Sequence, residues 1–121
     1  MADSKEKAYK IAKILSEKKG YNILLMELKG ITLVADYFVI ASGSSRTQVQ
    51  ALAHHVLEKM AEEGTHELRV EGKNEAHWVL LDYGDVVVHI FQEEDREFYN
   101  LERLWGDAEI IRYGELENCC F

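Results

Sequence analysis

The stretch of sequence that decides the fold is residues 37–60, which read YFVIASGSSRTQVQALAHHVLEKM. It opens with two aromatic and two β-branched residues, which are typical of a buried strand, and this run stops at the small residues 42–45. The residues that follow place apolar side chains at the three- and four-residue spacing of one helix face. Ser45 with Gln48 three positions later indicates a capping box, and Gly64 suits the position just beyond a helix end. The stretch therefore predicts a strand that leads through a short turn into an amphipathic helix.

Outward from this stretch, the chain continues as an alternation of helices and strands. Tyr83-Gly84 between two apolar runs favours an antiparallel hairpin, whereas the strand–helix–strand order in the middle permits a parallel pair. The sequence thus predicts a single-domain α/β fold, with a mixed β-sheet of about five strands and helices packed on it. The further predicted elements are a helix over 5–19 between Ser4 and Gly20, strands over 22–28, 68–70, 78–82 and 86–91, and a short helix over 94–105 with Phe98, Leu101, Leu104 and Trp105 on one side.

Length and composition restrict the class of protein. With 121 residues, 47% of them apolar and 10% aromatic, the chain is long enough for one domain with its own core. No run approaches the roughly 18 consecutive apolar residues of a membrane span, and no secretory signal is visible. Cys119 and Cys120 are adjacent and cannot build a disulfide framework. We therefore expect a protein without a membrane span that is cytoplasmic or lies in an organelle of similar redox poise.

The charge of the chain is negative and unevenly distributed. Fourteen basic and 22 acidic residues give a net charge of −8. Residues 1–20 carry six lysines and three acids, whereas residues 93–121 carry three basic and nine acidic residues. A nucleic acid partner requires clustered Lys and Arg that release counterions from the phosphate backbone, and this balance does not favour it. A basic protein is the better electrostatic match.

Two turns carry residue types that could bind an anion or a metal ion. Residues 43–45 could cradle a phosphate between a strand and a helix, but they match neither the Rossmann nor the Walker pattern, and a turn with an N-cap is the simpler interpretation. Asp82 and Asp85 flank the hairpin turn and could share a divalent metal ion, but aspartates in turns more often bond the nearby backbone. We therefore predict no metal ion and no cofactor.

The histidines do not assemble a catalytic or metal-binding constellation. His54 and His55 are neighbours on one helix and point about 100° apart, so that they cannot both bind one metal ion without distortion. His89 lies in an apolar strand, where a hydrogen-bonded sheet histidine is the expected role. No nucleophile with a neighbouring base can be assigned, so the sequence predicts a protein that is not an enzyme.

A tryptophan beside the hairpin is the strongest candidate for a binding surface. Strand alternation places Trp78, Leu80 and Asp82 on one side and Tyr83 on the other. Both sides carry an aromatic residue, so at least one of them need not be fully covered. An exposed Trp beside acidic residues is typical of a protein-binding hot spot. A core tryptophan with a satisfied indole N–H is the alternative, and composition does not decide between the two.

Three longer motifs resemble a known family. They are residues 36–46 (DYFVIASGSSR), 78–91 (WVLLDYGDVVVHIF) and 96–105 (REFYNLERLW), with Glu71-Gly72 as a further link. Together they resemble the Iojap-related ribosomal silencing factor family, which occurs in bacteria and, as relatives, in mitochondria and chloroplasts. The resemblance runs from about residue 5 to residue 108. It suggests a ribosomal silencing factor domain over residues 1–108 and an acidic C-terminal tail over residues 109–121.

The resemblance implies a fold, a function and a site. The fold is a mixed α/β domain of nucleotidyltransferase-like topology without a known catalytic role. Family members bind the large ribosomal subunit through its ribosomal protein fourteen and cover a surface that the small subunit needs, which represses translation. They also tend to form homodimers when free. The resemblance assigns partner binding to Trp78, and with it to Leu80, Asp82 and Tyr83.

Two other functions compete with this interpretation. A large-subunit assembly factor needs the same docking face as a translation repressor, so the sequence does not separate the two. A metal-dependent nucleotidyltransferase needs an Asp-x-Asp pair beyond the Gly-Ser turn. Residues 45–52 contain no carboxylate, which argues against that enzyme.

Overall fold

The computed structural model describes residues 4–99 and 108–113 of the chain. Within these ranges the chain alternates helices and strands, and the predicted α/β class is confirmed. The elements are α1 (Ser4–Glu17), β1 (Tyr21–Glu27), β2 (Tyr37–Gly43), α2 (Arg46–Glu62), β3 (Arg69–Glu71), β4 (Trp78–Asp82), β5 (Val86–Gln92), α3 (Glu93–Tyr99) and β6 (Glu109–Arg112).

The strands of the described residues form one mixed sheet in the order β3-β4-β5-β2-β1-β6. β2 and β5 are parallel, and every other neighbouring pair is antiparallel. The β4–β5 hairpin turns at Tyr83-Gly84, where Gly84 has a φ of +90°. Glycine adopts this left-handed conformation without the steric cost that a side chain adds. The predicted hairpin and mixed sheet are thus confirmed, whereas the nucleotidyltransferase-like label stays a prediction.

The two faces of the sheet carry different cores. α1 and α2 both pack on one face, against the larger apolar cluster. The other face, here called the second face, carries a cluster that includes Phe38, Ile40 and Phe91, each at most 5% exposed. Strand register adds Trp78 and Leu80 to this face, where both are only partly buried. The second face is therefore closed over the middle of the sheet and partly open at β4.

The turn into α2 is closed by its own side chains. Ser45 Oγ accepts the backbone N–H of Gln48 at 3.1 Å, as a capping box predicts. The Gln48 carboxamide oxygen, however, accepts the N–H of Ser44 instead of that of Ser45. Gly43 is required by packing, because a Cβ there would lie 2.9 Å from Val49 Cγ2. Both the glycine and the serines of this turn thus serve the junction between strand and helix.

Both long helices end with a left-handed residue. After α2 this residue is Gly64, with a φ of +83° and at the position just beyond the helix, as predicted. The backbone hydrogen bonds around it form a Schellman motif. After α1 the left-handed residue is Lys19, with a φ of +67°, and not Gly20. Gly20 instead provides space, because a Cβ there would lie 3.0 Å from the Leu15 carbonyl oxygen.

The C-terminal end of the described chain differs from the prediction. β6 lies within residues 109–121, and it pairs antiparallel with β1 from Glu27↔Glu109 to Leu24↔Arg112. Without β6, the edge of β1 would present unpaired backbone N–H and C=O groups, which a short added strand satisfies. The predicted sheet of about five strands thus gains a sixth, and residues 109–112 of the predicted acidic C-terminal tail form part of the sheet.

Part of the predicted C-terminal structure lies outside the described residues. α3 is described from Glu93 to Tyr99, which confirms the start of the helix predicted over 94–105. The side chain of Phe98, the predicted apolar residues Leu101, Leu104 and Trp105, and the adjacent Cys119 and Cys120 fall outside the description.

Candidate functional site

The turn before α2 does not provide an anion site. Ser44 and Ser45 are hydrogen-bonded to Gln48. A shallow hollow beside Ser44 is lined by Gln92 and by the acidic residues Glu93 and Glu94. Two carboxylates at this hollow repel a phosphate. The interpretation as a turn with an N-cap therefore fits the geometry better than that of a phosphate cradle.

The two aspartates at the hairpin turn each have their own partner. Asp82 Oδ1 accepts the Gly84 N–H at 2.8 Å, which is the backbone bond expected of an aspartate in a turn. Asp85 Oδ1 lies 2.7 Å from Lys7 Nζ, which ties α1 to the hairpin. Within residues 4–99 and 108–113, no group of three or more His, Cys, Asp or Glu residues is placed to hold a metal ion.

The neighbouring histidines of α2 point to different partners. His54 Nε2 lies 3.3 Å from Glu58 Oε2 on the same helix. His55 Nε2 faces α1, where it lies 3.7 Å from Glu17 Oε1. This divergence is the one expected from the 100° between adjacent helical residues. The pair does not converge on one site.

Strand β4 brings three of the four predicted site residues together. Trp78, Leu80 and Asp82 lie on the second face and are each partly exposed, while the residues between them are buried. β3 flanks them at the edge of the sheet, and its Arg69 and Glu71 are exposed and pair in register with Asp82 and Leu80. We call Trp78, Leu80 and Asp82 the β4 strip. It is an accessible row with an apolar end and a charged end.

Trp78 combines features of a core residue and of a surface residue. Its indole N–H donates to His89 Nδ1 at 3.0 Å. Its ring stacks on Phe91, with 5.3 Å between ring centroids and 23° between the planes. The side chain nevertheless stays partly exposed. Trp78 thus has the hydrogen-bonded indole that was expected of a core tryptophan. It also has the accessible aromatic surface that was expected of a binding hot spot.

His89 supports Trp78 from inside the sheet. It is 4% exposed, and its ring contacts Phe38 edge-on at 4.5 Å between centroids. Burial lowers the pKa of His89 to about 4, so the imidazole is neutral at neutral pH. The expected hydrogen-bonded sheet histidine is confirmed. The hairpin register could have indicated its bond to Trp78. Leu80 pairs with His89 and Trp78 pairs with Phe91, so the rings of His89 and Trp78 lie on the same face of the sheet.

Tyr83 is not part of the β4 strip. It is 6% exposed and belongs to the apolar cluster beneath α1 and α2. Its hydroxyl is buried and finds no hydrogen-bond partner among the residues that the structure describes. Burial, with a smaller effect of the Glu67 charge, raises the pKa of Tyr83 to about 12. The structure thus places this residue in the core, on the opposite side of the sheet from Trp78.

The loop before β4 fixes the position of Trp78. Gly72 has a φ of +78°, and a Cβ at this position would lie 2.2 Å from the Trp78 carbonyl oxygen. From α2, Arg46 donates to the Asn74 carbonyl at 2.7 Å and Gln50 donates to the same loop. Composition and spacing did not point to the residues of this loop. The resemblance to the family did include Glu71-Gly72. The loop therefore forms a tight connection that holds the start of β4 against α2.

Comparison with known proteins agrees with this architecture. The family model described as ribosomal silencing factor during starvation matches residues 1–119. The ribosomal silencing factor of Bacillus subtilis is 49% identical over 94 residues, 78% of this chain and 80% of that protein. That of Halalkalibacterium halodurans is 46% identical over 97 residues, 80% of this chain and 83% of that protein.

Solved structures match as well. A crystal structure of a Chromobacterium violaceum protein is 35% identical and superposes with a TM-score of 0.82, covering 87% of this chain and 88% of that one. Within the described residues, none of the helices combines the length and apolar character that crossing a membrane requires. Because the family model extends over almost all of the sequence and close relatives share most of their length with it, the chain belongs to the ribosomal silencing factor family.

Proposed function

We propose that this chain represses translation by docking on ribosomal protein fourteen of the large ribosomal subunit and blocking the approach of the small subunit. Membership of a regulatory family that acts on the ribosome supports the general role. The observation that carries the specific proposal is the β4 strip. It presents a partly exposed tryptophan, already stacked and hydrogen-bonded from below, next to a partly exposed leucine.

This arrangement has the physical character of a binding hot spot. Tryptophan is enriched at such sites, because a large ring buries much apolar area while only two side-chain dihedral angles are fixed. In the β4 strip the ring is already held on one side by Phe91. The partner therefore covers an aromatic surface whose orientation is set before binding, which reduces the entropy cost of association.

The charges favour a basic protein as the partner. The net charge of the chain is −8, and the charged end of the β4 strip contains Asp82, with Glu71 and Arg69 beside it. Negative potential steers a basic protein toward this surface and repels a phosphate backbone. We therefore propose a protein contact on the large subunit and not a contact with ribosomal RNA. Leu80 and Asp82 complete the proposed site, whereas the buried Tyr83 lies too deep to contribute directly.

An enzymatic role as a nucleotidyltransferase has little support in the geometry. Residues 45–52 form the cap and first turns of α2 and contain no carboxylate that could hold a metal ion beside the turn. Incubation with labelled nucleotides and Mg²⁺ tests this directly. Sustained turnover would replace the proposed function with catalysis.

The proposed function is tested by sedimentation and by subunit joining. We expect the protein to sediment with purified large subunits and not with small subunits, and to bind isolated ribosomal protein fourteen. Added to mature large subunits before small subunits, it should reduce the light-scattering increase of 70S formation. Binding to mature subunits without inhibition of joining would favour an assembly factor. Absence of large-subunit binding would refute both roles.

We also propose that the free protein forms a homodimer. Sedimentation equilibrium of the purified chain measures this directly, since the monomer has a mass of 13.9 kDa. A purely monomeric profile across the accessible concentrations would exclude the dimer and would leave the docking proposal unaffected.

A further inference from the structure

His89 is a buried histidine whose two ring nitrogens differ in their hydrogen bonding to the described residues. Its Nδ1 accepts the Trp78 indole N–H at 3.0 Å. A neutral imidazole that accepts at Nδ1 carries its proton at Nε2. That Nε2 is buried and finds no acceptor among residues 4–99 and 108–113. The side chain thus satisfies the tryptophan while leaving its own N–H without a bond to the described chain.

This arrangement is unfavourable for the fold considered alone. A buried N–H without a partner loses its bond to water and receives nothing in exchange. Phenylalanine has a similar shape and would fill the same space between Phe38 and Phe91 without a polar atom. A buried unsatisfied group of this kind calls for an explanation other than core packing.

We propose that His89 is a positioning residue that holds the indole of Trp78 in its binding orientation. The inference rests on the proposed docking function of the β4 strip. Stacking on Phe91 fixes the plane of the indole but does not by itself decide which edge of the ring lies on which side, because a half turn about the Cβ–Cγ bond restores the same plane with the two edges exchanged. The hydrogen bond to His89 selects one of these two orientations. Because Trp78 is partly exposed, its N–H could otherwise turn toward water. His89 thus selects which edge of the ring faces the partner.

Two variants separate the hydrogen bond from the packing. His89→Phe keeps an aromatic ring beside Phe38 but removes the acceptor. His89→Asn loses the ring but keeps an oxygen on Cγ, close to the place of Nδ1. A purely structural role predicts that Phe is the better replacement in every assay. The positioning role predicts that Phe is better for stability and Asn is better for binding.

Three measurements are made on each variant: the melting temperature, the affinity for isolated ribosomal protein fourteen, and the indole resonance of Trp78 in a ¹⁵N-labelled sample. That resonance is identified as the one missing from Trp78→Phe. For His89→Phe we expect a melting temperature equal to or above that of the wild type, an indole N–H that exchanges rapidly with water, and affinity weaker by about three- to tenfold. For His89→Asn we expect a lower melting temperature, a protected indole N–H, and affinity within about twofold of wild type.

Several results would overturn the inference. Full affinity of His89→Phe would show that the hydrogen bond does not matter for docking, and failure of both variants to fold would assign His89 to the core. If the wild-type protein does not bind ribosomal protein fourteen, the proposed function fails. The indole resonance of the free variants then still decides whether His89 orients Trp78.

Discussion

Replacement of Trp78 by alanine is the decisive perturbation of the β4 strip. In the free protein it removes the hydrogen bond to His89, which contributes about 1 kcal/mol, and the stacking on Phe91, which contributes about 0.5–1.5 kcal/mol. Truncation of a fully buried tryptophan costs about 3–5 kcal/mol. Because Trp78 is only partly buried, we expect a loss of about 2–3 kcal/mol from a total of about 5–15 kcal/mol. The variant should therefore fold.

Binding should respond far more strongly than stability. Truncation of a hot-spot residue costs about 2–4 kcal/mol of binding free energy, which corresponds to a roughly thirty- to thousandfold weaker affinity. Isothermal titration against ribosomal protein fourteen measures this loss, and circular dichroism with a melting curve verifies the fold. Leu33→Ala is the matched control, because Leu33 is a fully exposed apolar residue in the β1–β2 loop. It should alter neither the melting curve nor the affinity.

Two results would refute this reasoning. A folded Trp78→Ala variant with wild-type affinity would remove the β4 strip from the docking surface. Loss of cooperative unfolding would show that Trp78 is essential to the core, and Leu80→Ser would then test the strip independently. Leu80 is partly exposed on the same face, so its replacement should weaken binding while the fold is retained.

Further outcomes follow from the same contacts. Gly72→Ala should lower the free energy of unfolding by at least about 2 kcal/mol in a denaturant titration, because the left-handed backbone and the contact with the Trp78 carbonyl both oppose a Cβ. The pKa of His89 is lowered from its ordinary value of 6.5 to about 4 in the folded protein. Between these two pH values the unfolded state therefore binds more protons than the folded state. Stability should therefore fall on the order of 3 kcal/mol between pH 6.5 and 4, and His89→Phe should flatten this dependence. The pKa of Tyr83 is raised to about 12, so the unfolded state loses its proton first, and stability should fall from pH 10 toward 12 unless Tyr83 is replaced by Phe. Binding to the large subunit should weaken as salt is added, because surface charges are screened beyond about 8 Å. The decrease should be less steep than for a phosphate-binding protein, and an equally steep decrease would point to ribosomal RNA as the partner.

Local signals in the sequence were sufficient for most of the fold. The cap at Ser45, the glycine just beyond α2 at Gly64 and the turn at Tyr83-Gly84 each act through neighbouring residues, and the structure confirms all three. β6 was missed because residues 109–112 read Glu-Ile-Ile-Arg, with no alternation and an acidic context. What makes this segment a strand is its partner β1, which is distant in the sequence. A long-range pairing of four residues leaves almost no local signal.

The candidate site shows the same division between local and distant causes. Alternation along β4 predicts that Trp78, Leu80 and Asp82 lie on one face of the sheet and Tyr83 on the other, and the structure confirms this. The resemblance, in contrast, had assigned all four residues to one binding site. The exposure of Trp78 was not predictable, because it depends on which part of the second face is covered. The role of His89 required the hairpin register and the face of the strand together. Read alone, a histidine in an apolar strand is only a polar residue that needs a partner. Once the register places it beneath an accessible tryptophan, its buried nitrogen, which has no hydrogen-bond partner among the described residues, becomes a reason to propose a role in binding and not only in the core.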